Sequence, residues 1–182
     1  MRGQKGYDKR YEKEYDRLKY AIKLTEPINY PEKELPLDPY YIGLFIGDGC
    51  KSTGGVVSMD DEIKNYLKDL AVKEGCTFNE YIINDKVSNI HISNGVGKFN
   101  PFRNKLKNLN LIKNKHIPEE YFLSNVEQRI ELLKGWMDTD GTVGKRGTIS
   151  VSITAENLKD NFIRLVSELG IGYRITKRTT SY

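Results

Sequence analysis

The sequence predicts an α+β protein built as a pair of αββαββα units, the second incomplete. Three observations predict it. Two apolar stretches, Tyr40–Gly49 (YYIGLFIGDG) and Leu132–Gly141 (LLKGWMDTDG), are variants of one pattern that closes on Asp-Gly. The same order of hairpin and helix restarts after each, the motif aspartate and the helix-ending glycine lying 27 residues apart in the first copy and 30 in the second. A chain of 182 residues is long enough for two small repeats that share one core.

Residues 1–36 form a charged N-terminal segment and arm, 37–124 the first repeat, and 125–182 the second, cut short. Over residues 1–34, Tyr7, Tyr11, Tyr15, Leu18 and Tyr20 recur at intervals suited to one amphipathic helix; Pro27, Pro31 and Pro36 then prevent more helix. In each motif helix two small residues lie four apart: Gly43 and Gly47, then Gly135 and Thr139. Glycine costs a helix interior roughly 1 kcal/mol relative to alanine, and close approach of another backbone is the usual reason to keep it. The natural neighbour of each helix is the other copy, which sets Asp48 beside Asp140 and makes Gly49 and Gly141 left-handed stops.

After the first motif the sequence predicts a turn at Thr53-Gly54-Gly55 and a return strand Val56–Met59. A helix follows, capped by Asp60 or Asp61 and ended by Gly75, with strands at 78–84 and 88–93, a helix at 101–111 and a short turn at 118–123. The second copy gives a turn at Gly144–Gly147, a strand alternating Ile149, Val151 and Ile153 with Ser150 and Ser152, and a helix to Gly170. Residues 171–180 should be a third strand, with Arg174, Thr176 and Arg178 on one face.

Two carboxylates at the negative ends of adjacent helices repel one another unless a cation separates them. Hard oxygen donors suit Mg2+ (or Mn2+), completed by water and substrate phosphate. Asn89, His91, Ser93, Ser150, Ser152, Arg174, Thr176 and Arg178 lie on the sheet faces away from the helices, and Lys51 and Arg146 stand in the adjoining turns. These groups suit phosphates and base edges, and a two-stranded ribbon fits the major groove. Net charge is only +4, but seven Lys or Arg and no acid occur from Lys86 to Pro118.

At the two Asp-Gly motifs the sequence resembles the LAGLIDADG homing endonucleases, specifically the two-motif kind (DOD-type) found inside inteins. Tyr41–Gly49 keeps the glycine, aspartate and final glycine of the nine-letter motif; Leu133–Gly141 keeps these and also the first aspartate, as Asp138. The blocks at Leu35–Tyr41 and Lys115-His-Ile-Pro118 occupy the family's order. The resemblance implies two sheets forming a saddle over double-stranded DNA, with the paired helices at its centre. It implies metal ligation by Asp48, Asp140 and the carbonyls of Gly47 and Thr139, with Lys115 as the basic catalytic group near the scissile phosphate. It also implies about forty further residues that would complete the second repeat, or a partner segment such as an intein splicing domain. Self-splicing by this chain is not expected, for want of a nucleophile at position 1 and a terminal His-Asn.

The leading function is therefore a site-specific, metal-dependent DNA endonuclease. The competing one is a cleavage-defective remnant that binds DNA, or intron RNA in the manner of a maturase. Trp136 reads as core, and neither His91 nor His116 has zinc spacing. The cysteines, Cys50 and Cys76, suggest no disulfide, and no apolar run reaches membrane length, so a cytoplasmic location is expected.

Overall fold

The computed structural model describes residues 5–8, 13–16, 23–84, 86–95 and 98–179. The expected N-terminal helix is overturned where the structure reaches it. Strands β1 (Lys5–Asp8) and β2 (Lys13–Asp16) pair antiparallel, with Lys5 opposite Asp16 and Asp8 opposite Lys13 in the backbone register. The rest of that prediction, at 1–4, 9–12 and 17–22, lies outside the described residues. From 23 to 38 the arm is irregular, with backbone bonds made to Glu168 and Gln128. Ile28 N–H donates to the Glu168 carbonyl at 2.9 Å, and Lys33 exchanges bonds with the Gln128 amide at 3.1 and 2.6 Å.

Helix α1 (Pro39–Asp48) starts where Pro39 follows Asp38, whose carboxylate accepts from Tyr40 N–H at 2.9 Å. A loop turns at Gly54 into β3 (Val56–Ser58); the outgoing arm of this hairpin is a single bridge, Gly49 to Val56, rather than the expected strand. Asp60 caps α2 (Asp61–Lys73), which buries Ile63, Leu67, Leu70 and Ala71 as the 3.6-residue period requires. Strands β4 (Thr77–Ile82) and β5 (Ser88–Ser93) complete an antiparallel sheet ordered β3-β5-β4. Helix α3 (Pro101–Asn108) stops short of Leu111, the chain turning left-handed at Asn110, and α4 (Glu119–Phe122) is one turn.

Helix α5 (Val126–Asp140) opens on a reciprocal capping box between Asn125 and Gln128. Strands β6 (Gly141–Val143) and β7 (Ile149–Val151) form a two-stranded ribbon, followed by α6 (Glu156–Glu168). The ribbon is shorter than expected, and Val143 and Ile149, neighbours across it, are 72% and 68% exposed. The third strand is absent: residues 171–179 carry no regular structure and are exposed, while residue 180 lies outside the described residues. Alternation alone does not make a strand when no neighbour pairs its backbone. Arg174, Thr176 and Arg178 thus share no sheet face.

One core joins α1 and α2 to α5 and α6. Ile42, Leu44, Phe45 and Ile46 of α1 are buried with Leu67, Leu132, Trp136 and Leu165. Each such side chain contributes about 1.5–3 kcal/mol by leaving water.

Candidate active site and nucleic-acid face

The two motif helices pack backbone on backbone. A Cβ at Gly43 would lie 2.2 Å from the Leu132 carbonyl oxygen, and one at Gly135 would lie 2.1 Å from that of Tyr40. At Gly47 it would strike the Thr139 hydroxyl and stand 3.4 Å from Asp140 Oδ2. The small-residue faces therefore meet as expected, and Asp140 reaches over the residue before Asp48. Each aspartate is the last residue of its helix.

The glycines that follow are not left-handed stops. Gly49 and Gly141 are extended, at φ −68° and −78°, because each passes straight into a β bridge or strand while its N–H closes the helix on Phe45 or Met137. Glycine is needed there for another reason: a Cβ would sit 2.2 Å from that same carbonyl oxygen.

Asp48 reaches solvent at its tip, yet burial and then the charge of Asp140 raise its carboxyl above the usual range, with Lys115 opposing. Lys115 Nζ donates to the Gly47 carbonyl at 2.6 Å and lies 5.8 Å from the Phe45 ring centroid. Burial and the neighbouring charge of Lys51 push its ammonium down to about 8, against the pull of Asp140 and Asp48. The loop carrying it is fixed by α6: Asn157 Nδ2 donates to the Lys115 carbonyl at 2.9 Å, and Asn161 Oδ1 accepts from Ile117 N–H at 2.7 Å. Helix α6 thus positions the lysine.

Among the described residues no group of three or more His, Cys, Asp or Glu side chains is placed to hold an ion. The two carboxylates, Asp48 and Asp140, are hard oxygen donors of a kind that suits a divalent cation. The Gly47 carbonyl accepts from Lys115 with one of its two lone pairs.

Residues beyond the expected set enter the site. Trp136 Nε1 donates to Asp140 Oδ2 at 3.1 Å, and Tyr40 Oη donates to Asp138 Oδ2 at 2.7 Å across the helix pair. Cys50, just past Gly49, has its thiol pushed down to about 6 by hydrogen bonds, first from the Ser52 hydroxyl and then from Thr53. The Trp-x-x-x-Asp spacing on one helix was the available signal for Trp136.

On the first sheet, Asn89 and His91 line a concavity of about 320 Å³ with Tyr81, Ser93, Lys98 and Asn100. Burial lowers the His91 pKa, and the Tyr81 ring meets His91 edge-on at 5.5 Å. Ser93 is not a free surface group. It is 6% exposed, accepts from Asn79 Nδ2 at 3.0 Å and donates to the Gly95 carbonyl at 3.2 Å. Lys51, Arg146, Ser150 and Ser152 are exposed in the hairpins, and Arg174, Thr176 and Arg178 in the irregular tail. No helix among the described residues is long and apolar enough to cross a membrane.

Comparison with known protein families bears on the part of the chain from α5 onward. Residues 127–182, which hold α5, the ribbon and α6, match the family described as LAGLIDADG-like domain. The chain is also 28% identical over 163 residues to a replicative DNA helicase, DnaB, of Mycobacterium intracellulare; this covers 90% of the chain and 24% of that protein's length.

Proposed function

We propose that this chain is a homing-type endonuclease of intein origin that hydrolyses phosphodiesters in a long, specific double-stranded DNA site, using Mg2+ or Mn2+. The observation that carries the reading is the glycine-faced contact of α1 and α5, which delivers Asp48 and Asp140 to one place with Lys115 beside them. A like-charged pair assembled on backbone contacts of this closeness is costly unless it meets a cation. The LAGLIDADG-like match over α5 supports it, and a match to about a quarter of a helicase fits an element carried inside a host protein. In this reading the two repeats are related by a pseudo-twofold axis, and their sheets form the saddle that takes the duplex.

Asp48, Asp140 and the carbonyls of Gly47 and Thr139 would hold the cation, which when bound supplies charge stabilisation at the phosphate and a more acidic water. Lys115, neutral above about pH 8, can accept a proton from water, and below that pH its charge faces the phosphate. Asn157 and Asn161 keep its loop in place. Lys51, Arg146 and the tail arginines meet phosphates, while Asn89 and His91 meet base edges.

A plasmid carrying an uninterrupted replicative-helicase gene, incubated with the protein and Mg2+ or Mn2+, should be nicked or linearised, and a chelator should stop it. Asp48→Asn and Asp140→Asn should each abolish cutting of at least one strand with binding nearly intact. Full double-strand cleavage by either variant would overturn the assignment. Because the 171–179 segment lacks a paired strand, a second reading is a cleavage-defective binder of DNA or intron RNA. Tight binding by wild type without any cutting would select it.

A further inference from the structure

The two aspartates of the pair are not held alike. Asp140 Oδ2 accepts a hydrogen bond of 3.1 Å from Trp136 Nε1, one helical turn earlier, while the position one turn before Asp48 is Leu44, which has no donor. Trp136 is 1% exposed, and its ring meets Phe162 of α6 edge-on at 5.2 Å, so the indole is locked by packing on a second element. A buried indole N–H needs an acceptor, and Asp140 is the one it has. The bond engages Oδ2 and restrains the carboxylate's orientation, while no hydrogen bond to Oδ1 occurs among the described residues.

We infer that Trp136 is the positioning residue for Asp140, setting one carboxylate oxygen as a single-point cation ligand in one half of the site and making the two halves inequivalent. The inference rests on the metal reading proposed above, but its defining contact can be measured without metal. Hydrogen-bonded partners of metal-ligating groups typically change cation affinity 10- to 100-fold when removed. A loss of this size belongs to Trp136 even though its side chain never touches the ion.

Trp136 is the chain's single tryptophan, which makes the test clean. The indole N–H band in ultraviolet resonance Raman spectra should report a hydrogen-bonded indole in wild type and a weaker bond in Asp140→Ala, with no change in Asp48→Ala. An unaltered band in Asp140→Ala would overturn the contact. Mn2+ binding, followed by electron paramagnetic resonance, should then weaken about 10-fold in Trp136→Phe, which keeps an aromatic ring and removes the donor. The circular dichroism spectrum should be retained; if it is lost, the Raman result on the aspartate variants still decides. Equal Mn2+ affinity in wild type and Trp136→Phe would overturn the positioning role and leave the endonuclease reading standing. No Mn2+ binding by wild type would overturn the metal reading and this inference with it.

Discussion

The Lys115 ammonium donates 2.6 Å to the carbonyl of Gly47, 68 residues earlier in the chain, and so stands on one of the oxygens expected to ligate a cation. The proton on Lys115 is therefore a variable of the site.

In the metal-free protein Lys115 should titrate near 8, against 10.5 for an ordinary lysine. The folded protein releases this proton first, so between about pH 8 and 10.5 the unfolded chain binds more protons. The cost of burying the charge is present below pH 8 and relieved as pH rises, making stability increase with pH over that window. Lysine 13Cε shifts followed by NMR should show one midpoint near 8, moving upward in Lys51→Ala, which removes the neighbouring charge. A full set of midpoints near 10.5 would contradict the buried position.

Gly43→Ala and Gly135→Ala should each destabilise by about 3 kcal/mol, the upper end for overpacking, because the atoms met are backbone and cannot rotate away. Gly147→Ala, with φ +75° but nothing within 4 Å, should cost about 1–2 kcal/mol from strain alone. The double variant at 43 and 135 should cost less than the sum, since once the helices separate both methyls find room. Denaturant melts of the four proteins decide this.

Cys50 and Cys76 should react very differently. Hydrogen bonds from Ser52 and Thr53 bring Cys50 to about 6, so it is largely thiolate at neutral pH, whereas burial and the charge of Glu74 hold Cys76 up. Timed alkylation at pH 7 with mass spectrometry should label Cys50 first. Equal rates would mean that the hydrogen bonds at Cys50 do not form in solution.

Replacing Arg146, Arg174 or Arg178 with alanine should reduce the salt slope of DNA binding by about 1 for each phosphate no longer neutralised. Asn89→Ala should instead relax preference at one target position by about 1–3 kcal/mol. Ser93→Ala should leave recognition alone and cost about 0.5–1.5 kcal/mol of stability, one hydrogen bond's worth, because Asn79 Nδ2 keeps the Thr77 and His91 carbonyls as acceptors. Filter binding across salt with matched and mutated targets separates the three.

The helix pair was legible because glycines at 43 and 135 serve no purpose in an isolated helix, and the pattern named the partner as well as the element. The helices α2 and α6 were legible from period and capping signals. The N-terminal segment was not: Tyr7, Tyr11 and Tyr15, four apart, satisfy a helix template, while a hairpin is made by the backbone pairing of residues 5–8 with 13–16, which that spacing does not report. The strand at 171–180 failed for the opposite reason, having the right alternation and no neighbour to bond. Asp48, Asp140 and Lys115 were singled out from motif and resemblance, and the structure brings them near one another, whereas the indole on Asp140 and the asparagines behind Lys115 depend on how α6 packs.

The contact between Gly43 and Gly135 also sets a schedule. During synthesis α1, apolar on nearly every side, leaves the ribosome some 90 residues before the helix that covers it. At about 5–20 residues per second this leaves several seconds in which Ile42, Leu44, Phe45 and Ile46 have only the first sheet and α2 to shelter them. Arrest of translation between 50 and 125 should yield a nascent chain that binds chaperones and is open to protease within α1. Release past residue 140 should close it in one step.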